Sequence, residues 1–283
     1  MSFAGAASVA YATELPSQVS TNWAGYAATT DASTQAFAKR FTSVSGVWVQ
    51  PSASCVPGEP TFSAFWVGLG GYKVRSKSLE QVGSEADCSA AGQVSYYAWY
   101  EYVPQGPSRI HRIAISPGDT ISASVSVKGD RATVELTDLT SGASYTHRKS
   151  MRHPRPDVSA AEWIAEAPSN CNQNTCTPLT LTNFGSVSFT NASATSIGVD
   201  GAHAGVIDDP DWIYGAINLQ SGQPRQQFFS HRQSSAASVG ALGATGDAFT
   251  VTYASGLPQT GTSGPSGSTG TTSTTSATGA TGA

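Results

Sequence analysis

AEWIAEAP, residues 161–168, places two glutamates four positions apart in a chain of which only 12% of residues are charged. As a helix, the segment would bring Glu162 and Glu166 together on one turn. As a strand, it would keep both on one face, with Trp163, Ala165 and Ala167 on the other. The strand would also separate their Cα atoms by about 13 Å, too far for a coupled pair. Proline decides between the two: Pro154, Pro156 and Pro168 leave a window shorter than a normal helix, and no helical periodicity crosses it. The segment therefore reads as a strand, and any chemistry belongs to one glutamate with a partner from elsewhere.

Working outward, short alternating stretches recur along the chain: SGVWVQP, FSAFWVGLG, QVSYYAWYEYVP, RIHRIAISPGDTISASVSVKG, RATVELTDLTSG, GSVSFTNA and AFTVTYAS. Each mixes β-branched and aromatic residues with period two, as half-buried strands do. SPGDT and KGDR supply turn residues for close antiparallel connections. No long amphipathic helix is evident. The expected architecture is all-β, two packed antiparallel sheets.

From Ser255 onward the chain is built of Gly, Ser, Thr, Ala and Pro without charge, apart from a leucine and a glutamine near its start. Such a composition cannot bury enough apolar surface to offset ordering, which predicts a flexible tail over 255–283. The division expected is an N-terminal extension over 1–20, a sandwich domain over 21–254, and the tail. The first residues, without Lys or Arg before Lys39, make a poor signal peptide and predict a processed or re-engineered start. The formal charge of −4 argues against a nucleic-acid binder, and no apolar run reaches transmembrane length. The basic cluster HRKSMRHPRP, 147–156, reads as a solvated loop that could bias substrate choice.

Cys55, Cys88, Cys171 and Cys176 have no CxxC spacing, and the histidines form no zinc pattern, so neither metal nor cofactor is expected. An even count suits an exported protein with two disulfides, Cys171 with Cys176 and, by elimination, Cys55 with Cys88. Four free buried thiols in a cytosolic protein are the alternative.

In YYAWYEYVP, alternation puts Tyr97, Trp99, Glu101 and Val103 on one face. A face that joins tryptophan and glutamate resembles a cleft floor more than a closed core, because a buried carboxylate needs partners. In SLEQVG, Gln81 shares a face with Leu79 and Gly83, and the glycine suggests backbone access for a ligand. An uncharged amide with two donors suits oxyanion stabilisation.

Taken in order, NWAGY, FWVGLGG, LEQVG, AWYEY, ISPGDTI, LTSG, AEWIAEAP, FGSVSFTNA and FTVTY resemble the glutamic peptidases, or eqolisins, from about Asn22 to Tyr253. The resemblance implies a concanavalin-like β-sandwich of two curved, mostly antiparallel sheets, and a secreted, monomeric, acid-acting endopeptidase whose partners are protein or peptide substrates. It implies Gln81 and Glu166 as the catalytic dyad, Glu162 as a supporting or structural residue, and Trp23, Trp66, Trp99 and Glu101 as substrate-side residues. The sequence departs from the family where Gly70 stands for an acidic residue, Tyr97 for an aspartate and Pro168 for an aromatic, and in the placing of Cys55 and Cys88. An unperturbed Glu166 would titrate near ~4.3, so activity should rise through that pH. Two rivals are a glycoside hydrolase using Glu101 and Glu166, and a non-catalytic lectin-like module binding glycan or peptide.

Overall fold

The computed structural model describes residues 12–30, 39–171, 176–220 and 235–255, and these form eighteen strands and no helix. The N-terminal start and the tail beyond Ser255 lie outside the described residues. Thr13–Ser20 (β1), within the stretch read as an extension, pairs in parallel with Ile213–Gln220 (β16).

The opening segment is strand β11, Ala160–Glu166, ending just before Pro168. It lies between β2 (Trp23–Thr29) and β4 (Ala64–Gly70), antiparallel to both. Beyond β4 follow β5 (Leu79–Cys88), β6 (Val94–Tyr102) and β7 (Ser108–Ile110); beyond β2 lies β16. The second layer runs β10 (Ser144–Ser150), β9 (Arg131–Asp138), β8 (Thr120–Lys128), β3 (Arg40–Val49), β14 (Ser186–Gly198) and β18 (Phe249–Ser255). β15 (Gly201–Val206) pairs with β14, and β12 (Ser169–Cys171) forms a separate ladder with β13 (Cys176–Pro178). Strand β17 (Ser235–Val239) bonds to both β18 and β16. The two packed layers expected from the sequence are present, and β17 joins them edge to edge into one continuous hydrogen-bonded sheet folded on itself.

The layers meet through β3, β8 and β9 packed on β4, β5 and β11. The period-two faces meet there: Phe65, Val67, Val82, Ala98, Trp163 and Ala165 from one layer bury against Val44, Trp48, Val125 and Val134 from the other. Two indoles cross the interface with their polar ends satisfied. Trp163 Nε1 donates to Ser45 O at 2.7 Å, and Trp48 Nε1 donates to Ser84 Oγ at 2.9 Å. Removing a fully buried ring of this size costs about 3–5 kcal/mol. Both expected disulfides are present, Cys55–Cys88 and Cys171–Cys176.

The basic cluster departs from its reading as a loop. Its first residues belong to edge strand β10, where His147 stacks on Tyr100 at 4.7 Å between ring centroids. Tyr100 lies on the face of β6 away from Trp99, so His147 sits behind the strand that carries Glu101. Charged side chains on such an edge discourage pairing with another chain.

Candidate active site

The outward face of the β2–β11–β4–β5–β6 layer can be read from its register as three rows. The first holds Glu101, Gln81, Gly68, Glu162 and Ala27; the second Trp99, Gly83, Trp66, Ile164 and Gly25; the third Tyr97, Glu85, Ala64, Glu166 and Trp23. A second apolar cluster, distinct from the interlayer core, joins Trp66, Trp99, Leu79, Ile164 and Ile217, with Trp23 and Tyr97 half-buried against it. The three tryptophans and the three polar residues assigned from sequence, Gln81, Glu101 and Glu166, therefore share one floor. Trp23 and Trp66 meet edge to face, with centroids 5.0 Å apart.

Glu166 ends β11, and both its oxygens are engaged. Asn22 Nδ2 donates to Oε1 at 2.9 Å, and Trp66 Nε1 donates to Oε2 at 2.7 Å. Trp23 Nε1 turns toward the same carboxyl without closing a hydrogen bond. Burial pushes Glu166 up to about 7, against the pull of these donors, and the nearby Glu101 charge adds to the rise. That differs from the ordinary carboxylate value expected from sequence, because the half-buried carboxyl is packed among indoles and loses part of its hydration.

Gln81 lies two strands from β11 and four residues out of level with Glu166, so the two do not touch. Gln81 Nε2 donates to Glu101 Oε2 at 2.6 Å, while Gln81 Oε1 is buried without a partner. Burial raises the proton affinity of Glu101, and the Gln81 hydrogen bond opposes that rise. Glu162 is 0% exposed, both its oxygens lack partners, and burial holds it well above the carboxylate range. It is neutral and closed off, as befits a structural residue.

Gly83 has a different reason from the one read in sequence. A Cβ there would come within 2.1 Å of Phe65 O and 2.7 Å of Trp66 Cβ. The glycine admits Trp66 and offers no opening to a ligand. Gly70, standing for an acidic residue, has φ +85°, and a Cβ there would lie 2.6 Å from Asp157 Cβ. An acidic side chain from the segment before β11 fills that place.

Three residues escaped the sequence reading. Asn22 was within a quoted motif, but only the bend before β2 shows its role: Ser20 Oγ donates to Asn22 Oδ1 at 3.2 Å, which turns the amide nitrogen toward Glu166. Glu85 and Asp87 both contact the Tyr97 hydroxyl, which bonds Glu85 closely and Asp87 at 2.9 Å. Burial and the Asp87 charge push Glu85 up to about 8. The Arg109 guanidinium lies 4.3 Å from the Tyr97 ring centroid and draws Asp87 back down. Period-two alternation already put Glu85 on the Gln81 face, and that signal was available.

A sequence profile of the Peptidase A4 family matches residues 21–212. Aspergillopepsin-2 of Aspergillus niger is 34% identical over 204 residues, covering 64% of this chain and 66% of that protein. Scytalidopepsin B of Scytalidium lignicola is 32% identical over 166 residues, covering 56% of this chain and 60% of that protein. The chain thus spans just under two thirds of the length of the curated relatives it matches. The crystal structure of scytalido-glutamic peptidase with a transition state analog inhibitor shares the fold, with a TM-score of 0.59 at 23% identity over 83% of this chain and 98% of that one. Profile, relatives and fold agree with the ordered motifs, and the chain belongs to the Peptidase A4 family, the glutamic peptidases or eqolisins.

Proposed function

We propose that this protein is an exported endopeptidase that hydrolyses peptide bonds in acid with an activated water, using Glu166 and Gln81. The observation that carries this reading is Glu166 itself: a carboxyl held on both oxygens by N–H donors, on a tryptophan-lined floor that also bears an amide donor. Donor-only partners leave ionised Glu166 able to accept a proton from water, and that water attacks a peptide carbonyl laid between the two residues. The Gln81 amide donates to the developing oxyanion, and Glu166 returns its proton to the departing amine. Nothing in this scheme calls for a metal ion or a covalent intermediate.

Trp23, Trp66, Trp99 and Glu101 form the substrate side. The buried N–H groups of Trp23 and Trp99 lack partners, and an extended peptide brings carbonyls that can accept from them. Two disulfides accord with export.

Digestion of a denatured protein across acid and neutral pH tests the assignment. Glu166→Gln is expected to abolish cleavage in a folded protein, and Gln81→Ala to lower kcat by about two to three orders of magnitude. Wild-type turnover in either variant would overturn the dyad.

A further inference from the structure

Gln81 has one anchor. Its nitrogen is held by Glu101, its oxygen is buried with no partner, and no other hydrogen bond among the described residues orients the amide. Of the two protons on Nε2, one goes to Glu101, which leaves the other for the floor. Swapping the amide's ends would withdraw that donor, so the carboxyl at 101 decides whether Gln81 can serve an oxyanion.

Its charge matters as much as its position. A carboxylate 2.6 Å from the donor nitrogen would repel negative charge developing beside that nitrogen, whereas a neutral carboxyl still accepts the N–H through its carbonyl oxygen. The groups facing Glu101 offer little to neutralise it. Gln81 on β5 is uncharged, β4 and β2 present Trp66, Gly68, Trp23 and Ala27, and Glu162 on β11 is closed off and neutral. Tyr97 precedes it on β6 beside Glu85, and Arg109 on β7 is directed over Tyr97 and toward Asp87. The remaining titrating neighbour is Glu166, which feels the Glu101 charge.

Building on the dyad reading, we propose that Glu101 is a positioning residue for the Gln81 amide and that the competent enzyme holds one proton on the Glu101–Glu166 pair, with Glu101 neutral and Glu166 ionised. A neutral Glu101 removes its own field from Glu166 and thereby favours the carboxylate needed to activate water. The two limbs of the pH profile belong to the pair: doubly protonated enzyme lacks the base, and doubly ionised enzyme opposes the oxyanion. Glu101 is then the second, protonated group that an acid enzyme with a single carboxylate base requires.

The test compares kcat and KM for wild type, Glu101→Gln and Glu101→Leu from about pH 3 to about pH 8, with circular dichroism at each pH to confirm folding. Glu101→Gln keeps a neutral acceptor, so its high-pH limb should vanish, while its low-pH limb, along which Glu101 already carries its proton, should not move to lower pH. Glu101→Leu loses the acceptor, and its kcat should fall at least about tenfold below that of Glu101→Gln at every pH, with KM changed less than about threefold. A high-pH limb retained in Glu101→Gln would overturn the shared proton, and equal kcat in the two variants would overturn the positioning role. If either variant fails to fold, infrared titration of wild type and Gln81→Ala decides: the carboxyl that ionises along the high-pH limb should shift its band when the Gln81 donor to Glu101 is removed, and an unshifted band would overturn the proposal. Glu166→Gln runs alongside. Activity in that variant sinks the dyad itself, whereas an inactive Glu166→Gln with the high-pH limb kept in Glu101→Gln sinks only this inference.

Discussion

Glu80 makes the fold itself pH-dependent, and Glu80→Gln exposes the effect. The residue lies on the interlayer face of β5, 0% exposed, with neither carboxyl oxygen closing a hydrogen bond. Burial pushes it up to about 8 from an ordinary 4.5. The folded state therefore binds a proton that the unfolded chain releases, and stability falls as pH rises between those values. Each pH unit in that window costs about 1.4 kcal/mol, so the full window approaches about 5 kcal/mol, comparable to the whole stability of many domains. Glu162, raised by the same cause and by the Asp157 and Glu80 charges, adds a loss of the same sign. Glu80→Gln keeps size and neutrality while removing the titration. Urea unfolding followed by tryptophan fluorescence should give similar midpoints for wild type and variant near pH 4. Near neutrality the variant should stand higher by about 1–2 M for a gain of several kcal/mol. A wild-type midpoint that stays flat from acid to neutral pH, or a variant displaced equally at both ends, would refute the reasoning.

Trp66→Phe should retain the ring packing but remove the indole donor to Glu166. A hydrogen bond to a charged group contributes about 1.5–3 kcal/mol, so the low-pH limb of kcat/KM should move up by about one unit or more, and an unmoved limb would show that the bond does not favour the ionised base. Gly83→Ala should drive a methyl into Phe65 O and the Trp66 side chain, at a stability cost of about 1–3 kcal/mol in thermal or urea unfolding, together with reduced kcat. Unchanged unfolding would mean that Trp66 has room the geometry denies.

The strands were legible because each aromatic stretch carries a period of two, and that period also assigned faces correctly. Gln81 with Leu79, and Trp99 with Glu101, fall where alternation put them. Closure through β17 was not legible, since nothing local in Ser235–Val239 says which two strands it will join. The insertion of β4 between β11 and β5 was equally hidden, and it is this insertion that brings Trp66 to Glu166. Gly83 was misread for the same reason: its sequence neighbours suggest a gap, while its cross-strand neighbour is a tryptophan. The proton affinity of Glu166 depends on indoles from β2 and β4, far from it in sequence, so an isolated glutamate was the wrong reference.

Scarcity of charge connects the fold to its chemistry. The described ion pairs involve Lys39, Arg152 and His203, and none reaches Glu80, Glu85, Glu101, Glu162 or Glu166. A buried carboxyl without a cation has two means of avoiding its desolvation cost, N–H donors or a proton. Glu166 has donors, which ease its ionisation without cancelling the rise that burial causes; Glu80 and Glu162 keep protons, because nothing at their positions closes a hydrogen bond. An arginine beside each would hold the fold at neutral pH but would also bring positive charge behind the floor and lower the proton affinity of the base. Exclusion of water raises Glu166 on the floor and, on the interlayer face, ties the stability of the sheet to acid through Glu80, so opening the indole floor should move the first response and leave most of the second.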